Sequence, residues 1–283
     1  MSNVNEFLSA IGSSKDQQGA NFSSYQLKGV GLNGLNFENS IFDGTDFEGA
    51  EIIEVKFSNS RLNNVSFQKA KIKNTDFSGA QLQGVNFQKA LLINCNFNNA
   101  SLENGALDSA TLEGCDLRGS NLSHVNLSSA KLNKCDLSFA RLMYGYLWKV
   151  EIHDSQLNGI NLRGSDLSFC KIEGTDFRGS VLKYTDLNSC TFDKVNLSNA
   201  NLMGAEMKDA HCQKITIKEA NLEGVDLTYA NLEGSDLENA FLLEANLHGA
   251  NLSNANLKDA YVVDANIAKA NTQGANLENT ILQ

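Results

Sequence analysis

The sequence predicts an all-β fold, a parallel β-helix of squared cross-section with four faces. Three observations predict it. A five-residue period of buried positions runs through most of the chain without a slip. Phenylalanine recurs within that period at intervals of 20 residues. The 283 residues include no proline, although a typical chain carries about 5%. Proline has no N–H to give, so a chain whose segments pair on both sides excludes it throughout.

The period fixes the register. From Phe22 to Leu282, every residue whose number ends in 2 or 7 is a core centre, giving 53 consecutive repeats. Of these, 49 are Leu, Phe or Ile, and the exceptions are Met207, Cys212, Val262 and Thr272. Two residues before each centre stands a small inward residue, with Tyr25, Leu35, Ile160 and Ile215 as bulky departures. One large and one small buried side chain in every five residues fits neither the 3.6-residue helix nor the two-residue strand period. Gly or Asn is common two residues after the centre, as in Gly79, Gly84, Asn94 and Asn99, where a corner requires positive φ. An Asn or Asp before the centre, as in Asn251 before Leu252, is suited to bonding the corner backbone.

Phenylalanine sets the coil. Phe37, Phe57, Phe77 and Phe97 are 20 apart, as are Phe47, Phe67 and Phe87, and Phe177 falls in the first series. Four repeats per coil give about 13 coils and a rod of about 60 Å at the inter-strand spacing.

The repeat resembles that of the pentapeptide-repeat family, written A(N/D)LXX and seen in Ala220-Asn221-Leu222-Glu223-Gly224 and Ala230-Asn231-Leu232-Glu233-Gly234. The resemblance implies a right-handed quadrilateral β-helix. Residues 1–18 form the expected cap and 19–283 the uninterrupted solenoid. Val4, Phe7, Leu8 and Ile11 share a helical face, with Ser2 or Asn3 as N-cap and Gly12 as stop, so a capping helix is expected over 3–11. At the other end the repeats run to Leu282, and the outward residues Phe241, Leu243, Tyr261, Val263 and Ile281 form an apolar patch. A homodimer through these C-terminal coils is expected, as the resemblance also implies. The alternative is that these side chains pack sideways on their own ladder.

Chemistry is sparse. Cys95, Cys115, Cys135, Cys170, Cys190 and Cys212 all fall at inward positions, without a C-x-x-C, and are expected to be reduced core thiols. His124, His153, His211 and His248 are scattered without metal-ligand spacing or an evident partner. Glycines occur singly, with no phosphate-binding loop or nucleophile elbow. No catalytic residue, cofactor or metal is expected, and no enzyme activity. No apolar run approaches the ~20 residues of a membrane helix and no secretory signal is visible, so a cytoplasmic chain without membrane contact is expected.

Function then falls to the outward positions. Phe139, Met143, Tyr144, Tyr146 and the single tryptophan, Trp148, are outward within three repeats, Phe169 and Tyr184 follow within two coils, and Arg141, Lys149, Arg163 and Lys183 surround them. Aromatic residues beside Arg have the composition of binding hot spots. A protein-binding patch at Phe139, Arg141, Met143, Tyr144, Tyr146, Trp148, Arg163, Phe169 and Tyr184 is therefore expected, against the alternative that these side chains only stiffen the ladder. The net charge of −10 opposes direct nucleic-acid binding. Residues 205–283 hold 12 Asp and Glu against 5 Lys and Arg, a field that attracts basic protein clefts. The expected role is a non-catalytic scaffold that binds a protein partner. The alternative, implied by the resemblance, is a DNA-mimicking modulator or protector of a type II topoisomerase such as DNA gyrase. Members of that group typically carry loops that interrupt the register, and this chain has none.

Overall fold

The computed structural model of the chain describes residues 4–281 and divides into two compact units, Met1–Arg141 and Leu142–Gln283. The expected N-cap at Ser2 or Asn3 and the last core centre, Leu282, lie outside the described residues.

The first unit opens with helix α1, Val4–Ile11. Its Phe7 and Ile11 are buried, and the Phe7 ring meets Phe22 at 5.0 Å and Tyr25 at 6.0 Å, covering the first coil. Leu8, expected on the same face, is exposed. Gly12 ends the helix at φ 54°, its N–H donating to Leu8 C=O at 3.1 Å, as a left-handed C-terminal stop requires.

Strands β1 (Gly31–Asn33), β2 (Glu51–Ile53), β3 (Lys71–Lys73), β4 (Leu91–Ile93), β5 (Thr111–Glu113) and β6 (Lys131–Asn133) then form one face, each parallel to the next. Their register is 20 residues, with Ile52 opposite Ile72 and Leu92 opposite Leu112. The other three faces pair through single bridges at the same offset, such as Asn36 with Lys56, Ile41 with Arg61 and Asp46 with Ser66.

The absence of proline follows from the hydrogen bonds of one repeat. Asp46 N–H donates to Tyr25 C=O at 2.9 Å on the preceding coil, and Phe47 and Gly49 donate to Ser66 and Gln68 at 2.7 and 2.8 Å on the next. Glu48 N–H donates to the Asp46 carboxylate at 2.9 Å, and Ala50 N–H closes the corner on Phe47 C=O at 3.0 Å. All five N–H groups are used, so a proline at any position of such a repeat deletes a bond.

Inside, the phenylalanines stack as their spacing predicts. Phe37, Phe57, Phe77 and Phe97 lie with successive centroids 5.5, 5.3 and 4.8 Å apart and interplanar angles of 14°, 12° and 4°. Phe47, Phe67 and Phe87 stack at 5.2 and 4.9 Å. Rings of adjacent faces meet edge-on, as Phe87 and Phe97 do at 5.9 Å and 87°. Both arrangements are favoured by the ring quadrupole.

The second unit repeats the plan with β7 (Glu151–His153), β8 (Lys171–Glu173) and β9 (Thr191–Asp193) in parallel register. Beyond β9 the same face keeps its register through single bridges, His211 to Asn231, Asn231 to Asn251 and Asn251 to Asn271. From β1 to β9 the three-residue strands therefore span about eight turns, fewer than the thirteen coils expected, while the bridges carry the 20-residue register on to Ile281. The corner explains the change. After β7 and β8 the inward residue is Ser155 or Thr175, whose hydroxyl donates to the C=O of His153 or Glu173 at 2.8 Å. Later corners on this face carry Ser235, Ala255 and Ala275, whose N–H groups close tight turns on Leu232, Leu252 and Thr272 at 3.0 Å. Where the turn closes in this way, at Asn231, Asn251 and Asn271, a single bridged residue remains.

Two expectations are corrected in this unit. Cys170 and Cys190 are joined as a disulfide rather than held as thiols, because inward positions one coil apart bring their Cα atoms to 4.7 Å, within the range the bond needs. Cys95, Cys115, Cys135 and Cys212 form no disulfide and are buried as expected, and burial pushes the Cys212 thiol up to about 12. His153 does have a partner, with Nδ1 3.5 Å from a Glu173 carboxylate oxygen one coil on. No helix among the described residues is long and apolar enough to cross a membrane.

Candidate protein-interaction surface

Every corner places its turning residue, two after the centre, in the left-handed region, as at Gly79 (φ 64°), Asn94 (51°) and Asn99 (56°). Gly and Asn suit that conformation, whereas a bulky L residue there costs roughly 1–2 kcal/mol. Five aromatic residues nevertheless occupy it: Phe139 (59°), Tyr144 (56°), Phe169 (60°), Tyr184 (56°) and Tyr229 (58°). All five are exposed.

Phe139 and Arg141 belong to the first unit, where both are exposed. The other expected patch residues belong to the second. There Tyr144 and Tyr184 mark one edge of the face centred on Leu147, Leu167, Leu187, Met207 and Leu227. Phe169 and Tyr229 mark its opposite edge. Tyr146 and Trp148 flank Leu147 on the face itself and are exposed. Met143 is half-buried on the neighbouring face, and Arg163, on that same face, is exposed.

The tyrosines are seated on glycine. A Cβ at Gly164 would fall 2.7 Å from the Tyr144 ring, and one at Gly204 would fall 2.7 Å from Tyr184. Tyr229 lies in the same way on Gly249 and meets the His248 ring edge-on at 5.7 Å. Each ring is thus held by the next coil while one side stays in solvent. Cations approach two of the rings, Lys149 Nζ at 4.1 Å from the Trp148 centroid and Arg163 Cζ at 5.8 Å from that of Tyr184, distances at which the ring face attracts a cation.

Sequence reasoning missed two parts of this surface. Tyr229 sits 60 residues after Phe169, three coils on at the same corner, and counting in twenties would have found it. The same count places Asp166, Asp186, Glu206 and Asp226 in one row, joined by successive parallel bridges. Asp186 has its carboxyl pushed above the ordinary range, first by burial and then by the charges of Asp166 and Glu206.

At the far end of the second unit, the inward residues of the last coil are uncovered, with Ile267 and Leu277 exposed. Of the expected association residues, Phe241, Leu243, Tyr261 and Ile281 are exposed and Val263 is half-buried. Phe241 and Tyr261 stack at 5.3 Å and 13°, so these two rings do pack along their own ladder while each keeps a free side. Among the described residues, no group of three His, Cys, Asp or Glu is placed to hold a metal ion.

Comparison with known proteins agrees with this architecture. A family model described as a pentapeptide repeat region matches residues 20–92 and 150–227. One described as pentapeptide repeats (8 copies) matches 80–119, 110–144, 120–152 and 245–283. No curated protein matches. Among solved structures, HetL, a pentapeptide repeat protein involved in heterocyst differentiation regulation in the cyanobacterium Nostoc sp. strain PCC 7120, is 21% identical. The match covers 100% of this chain and 98% of HetL, with a TM-score of 0.25. QnrB1, a plasmid-mediated fluoroquinolone resistance protein, is 14% identical over 91% of each chain with a TM-score of 0.24. A pentapeptide repeat protein of the Arabidopsis thaliana thylakoid lumen is 22% identical over 40% of this chain and 66% of its own, with a TM-score of 0.23. At such identities and TM-scores these likenesses carry nothing about role. The extent of the family matches does settle kinship: the chain belongs to the pentapeptide-repeat family.

Proposed function

We propose that the chain is a non-catalytic interaction scaffold that engages a protein partner through the aromatic-edged face of its second unit. Pentapeptide-repeat proteins generally serve as structural or interaction scaffolds, which supports the coarse reading. One observation carries the finer one. Exposed Tyr144, Phe169, Tyr184 and Tyr229 stand at corners whose conformation favours Gly or Asn. A half-exposed ring at such a corner adds little to folding, whereas it serves binding, because large rigid rings dominate interface energetics. The test is affinity capture from a lysate of the native host with wild type, with Tyr144→Ala/Trp148→Ala and with Phe241→Asp/Tyr261→Asp. A protein retained by wild type and by the C-terminal variant but lost with the first variant supports the reading. Equal retention by all three overturns it.

A second reading is a DNA-mimicking modulator of a type II topoisomerase such as DNA gyrase, acting as a homodimer through the C-terminal coils. It is favoured by the 12 acidic against 5 basic residues in 205–283 together with the exposed apolar side chains Phe241, Leu243, Tyr261 and Ile281. Neither inhibition nor protection of gyrase supercoiling at micromolar protein would remove it.

A further inference from the structure

The face proposed above as the partner site also indicates what chemistry the partner presents. The residue before each of its centres is Tyr146, Asp166, Asp186, Glu206 and Asp226 in turn, each bridged in parallel to the next. Four carboxylates therefore climb the face at the inter-strand spacing of about 4.8 Å, between the rings of Tyr184 on one edge and Phe169 and Tyr229 on the other. Little inside the chain neutralises them. Lys208 Nζ pairs with Asp226 at 3.3 Å, and Glu206 accepts from the Asn188 amide at 2.9 Å. Asp166 and Asp186 form no ion pair within 4 Å among the described residues, although the Lys208 charge also reaches Asp186. Each instead spends one oxygen on its own corner, accepting the N–H of Ser168 or Asn188 at 2.9 Å.

Stacked like charges repel, and opposed carboxylates weaken a ladder. A row of carboxylates between half-exposed rings is complementary to Lys and Arg. Their aliphatic stems lie well on apolar surface while the charged heads reach acceptors, and their cations are attracted to ring faces. Spacing narrows the form. An extended strand returns a side chain to the same side every ~6.7 Å, so three alternate residues span about 13 Å. The row from Asp166 to Asp226 spans three coil rises, about 14 Å at the same spacing.

We propose that this face docks an extended basic segment of a protein partner, with Lys or Arg at alternate positions lying over the row from Asp166 to Asp226 and their stems against Phe169 and Tyr184. The inference rests on the interaction-scaffold reading and adds the charge and conformation of what is bound. The field of the row excludes phosphate backbones from the same surface.

The test is a fluorescence-anisotropy titration of the full chain with a labelled synthetic peptide alternating Arg and Thr, against a control alternating Gln and Thr. The Arg peptide is expected to bind, more weakly as salt rises, and the Gln peptide to fail. Asp166→Asn/Asp186→Asn, which keeps an oxygen acceptor for each corner, is expected to weaken binding at least about tenfold, the loss of roughly 1.4 kcal/mol. Phe169→Asn/Tyr184→Asn is expected to weaken it as well. No binding of the Arg peptide, or binding unchanged by loss of the two carboxylates, overturns the inference. A captured partner that depends on Tyr144 and Trp148 alongside a silent Arg peptide would refute the basic segment alone and leave the scaffold reading standing. Binding that needs the carboxylates but ignores the rings would overturn the proposed pose.

Discussion

If the corner aromatics serve binding, replacing one should leave the fold unharmed. Phe169→Asn is the informative change, because Phe169 sits at φ 60° and is 53% exposed. Its N–H donates to Asn188 C=O at 2.9 Å, a bond that Asn keeps. About half of the ring's burial is lost, and full burial of Phe is worth roughly 1.5–3 kcal/mol, so the loss is about 0.7–1.5 kcal/mol. Against it stands relief of the left-handed conformation, roughly 1–2 kcal/mol for a residue that does not suit it, with Asn among the few that do. The two terms offset to within about 1 kcal/mol, a shift in melting temperature of under about 4 °C for a chain of this size. The assay is thermal melting followed by far-UV circular dichroism, wild type beside variant. Destabilisation beyond about 2 kcal/mol, outside the usual range of a harmless surface change, would show that the ring holds the coil together and would refute the binding argument at this corner.

Other outcomes follow from the same structure. Leu122→Pro removes the N–H that donates to Arg141 C=O at 2.6 Å at a fully buried centre, costing about 3 kcal/mol or more; limited proteolysis should show cleavage in the neighbouring coils, and a normal melt would contradict the register. Phe67→Ala empties a fully buried site stacked between Phe47 and Phe87, and a loss of about 3–5 kcal/mol is expected in denaturant melts. The Asp186 carboxyl is raised chiefly by burial, so its charge opposes folding above its folded value and has no effect below the unfolded one, near 3.9. Asp186→Asn should therefore melt higher than wild type at pH 7 and equal to it at pH 3. Closing a 20-residue loop, the Cys170 to Cys190 disulfide should contribute about 3 kcal/mol on the chain-entropy argument. A non-reducing peptide map should show the linked pair, and dithiothreitol should lower the melting temperature.

The solenoid was legible because its period appears in the residues themselves. The spacings of Phe37 to Phe97 and Phe47 to Phe87 gave the 20-residue coil, and the same offset governs the bridges of both units. The shift from three-residue strands to single bridges after β9 was less visible. It depends on whether a corner closes its own hydrogen bond, a local matter: the Ser155 hydroxyl donates to a carbonyl of its own corner, whereas at Ser235 the hydroxyl donates to the preceding coil and the N–H closes the turn. The cysteine pair was hidden for another reason. Cys95, Cys115 and Cys135 share a column just as Cys170 and Cys190 do, and spacing alone does not separate stacked thiols from a bond. The surface was half legible. Aromatic residues were conspicuous at Tyr144 to Trp148, where they are adjacent in sequence, but Tyr229 and the row from Asp166 to Asp226 are adjacent only across coils. The strain at Phe169 and Tyr184, which argues most strongly for a role, emerges from backbone angles that no composition reveals.

The central claim is that the aromatic-edged face of the second unit holds a partner. The most direct measurement is the dissociation constant of the purified captured protein for wild type and for Phe169→Asn/Tyr184→Asn, by isothermal titration, with circular dichroism showing that both chains fold alike. The account predicts affinity weaker by about thirtyfold, the loss of a hot spot worth roughly 2 kcal/mol. Equal affinity in two equally folded chains would contradict it.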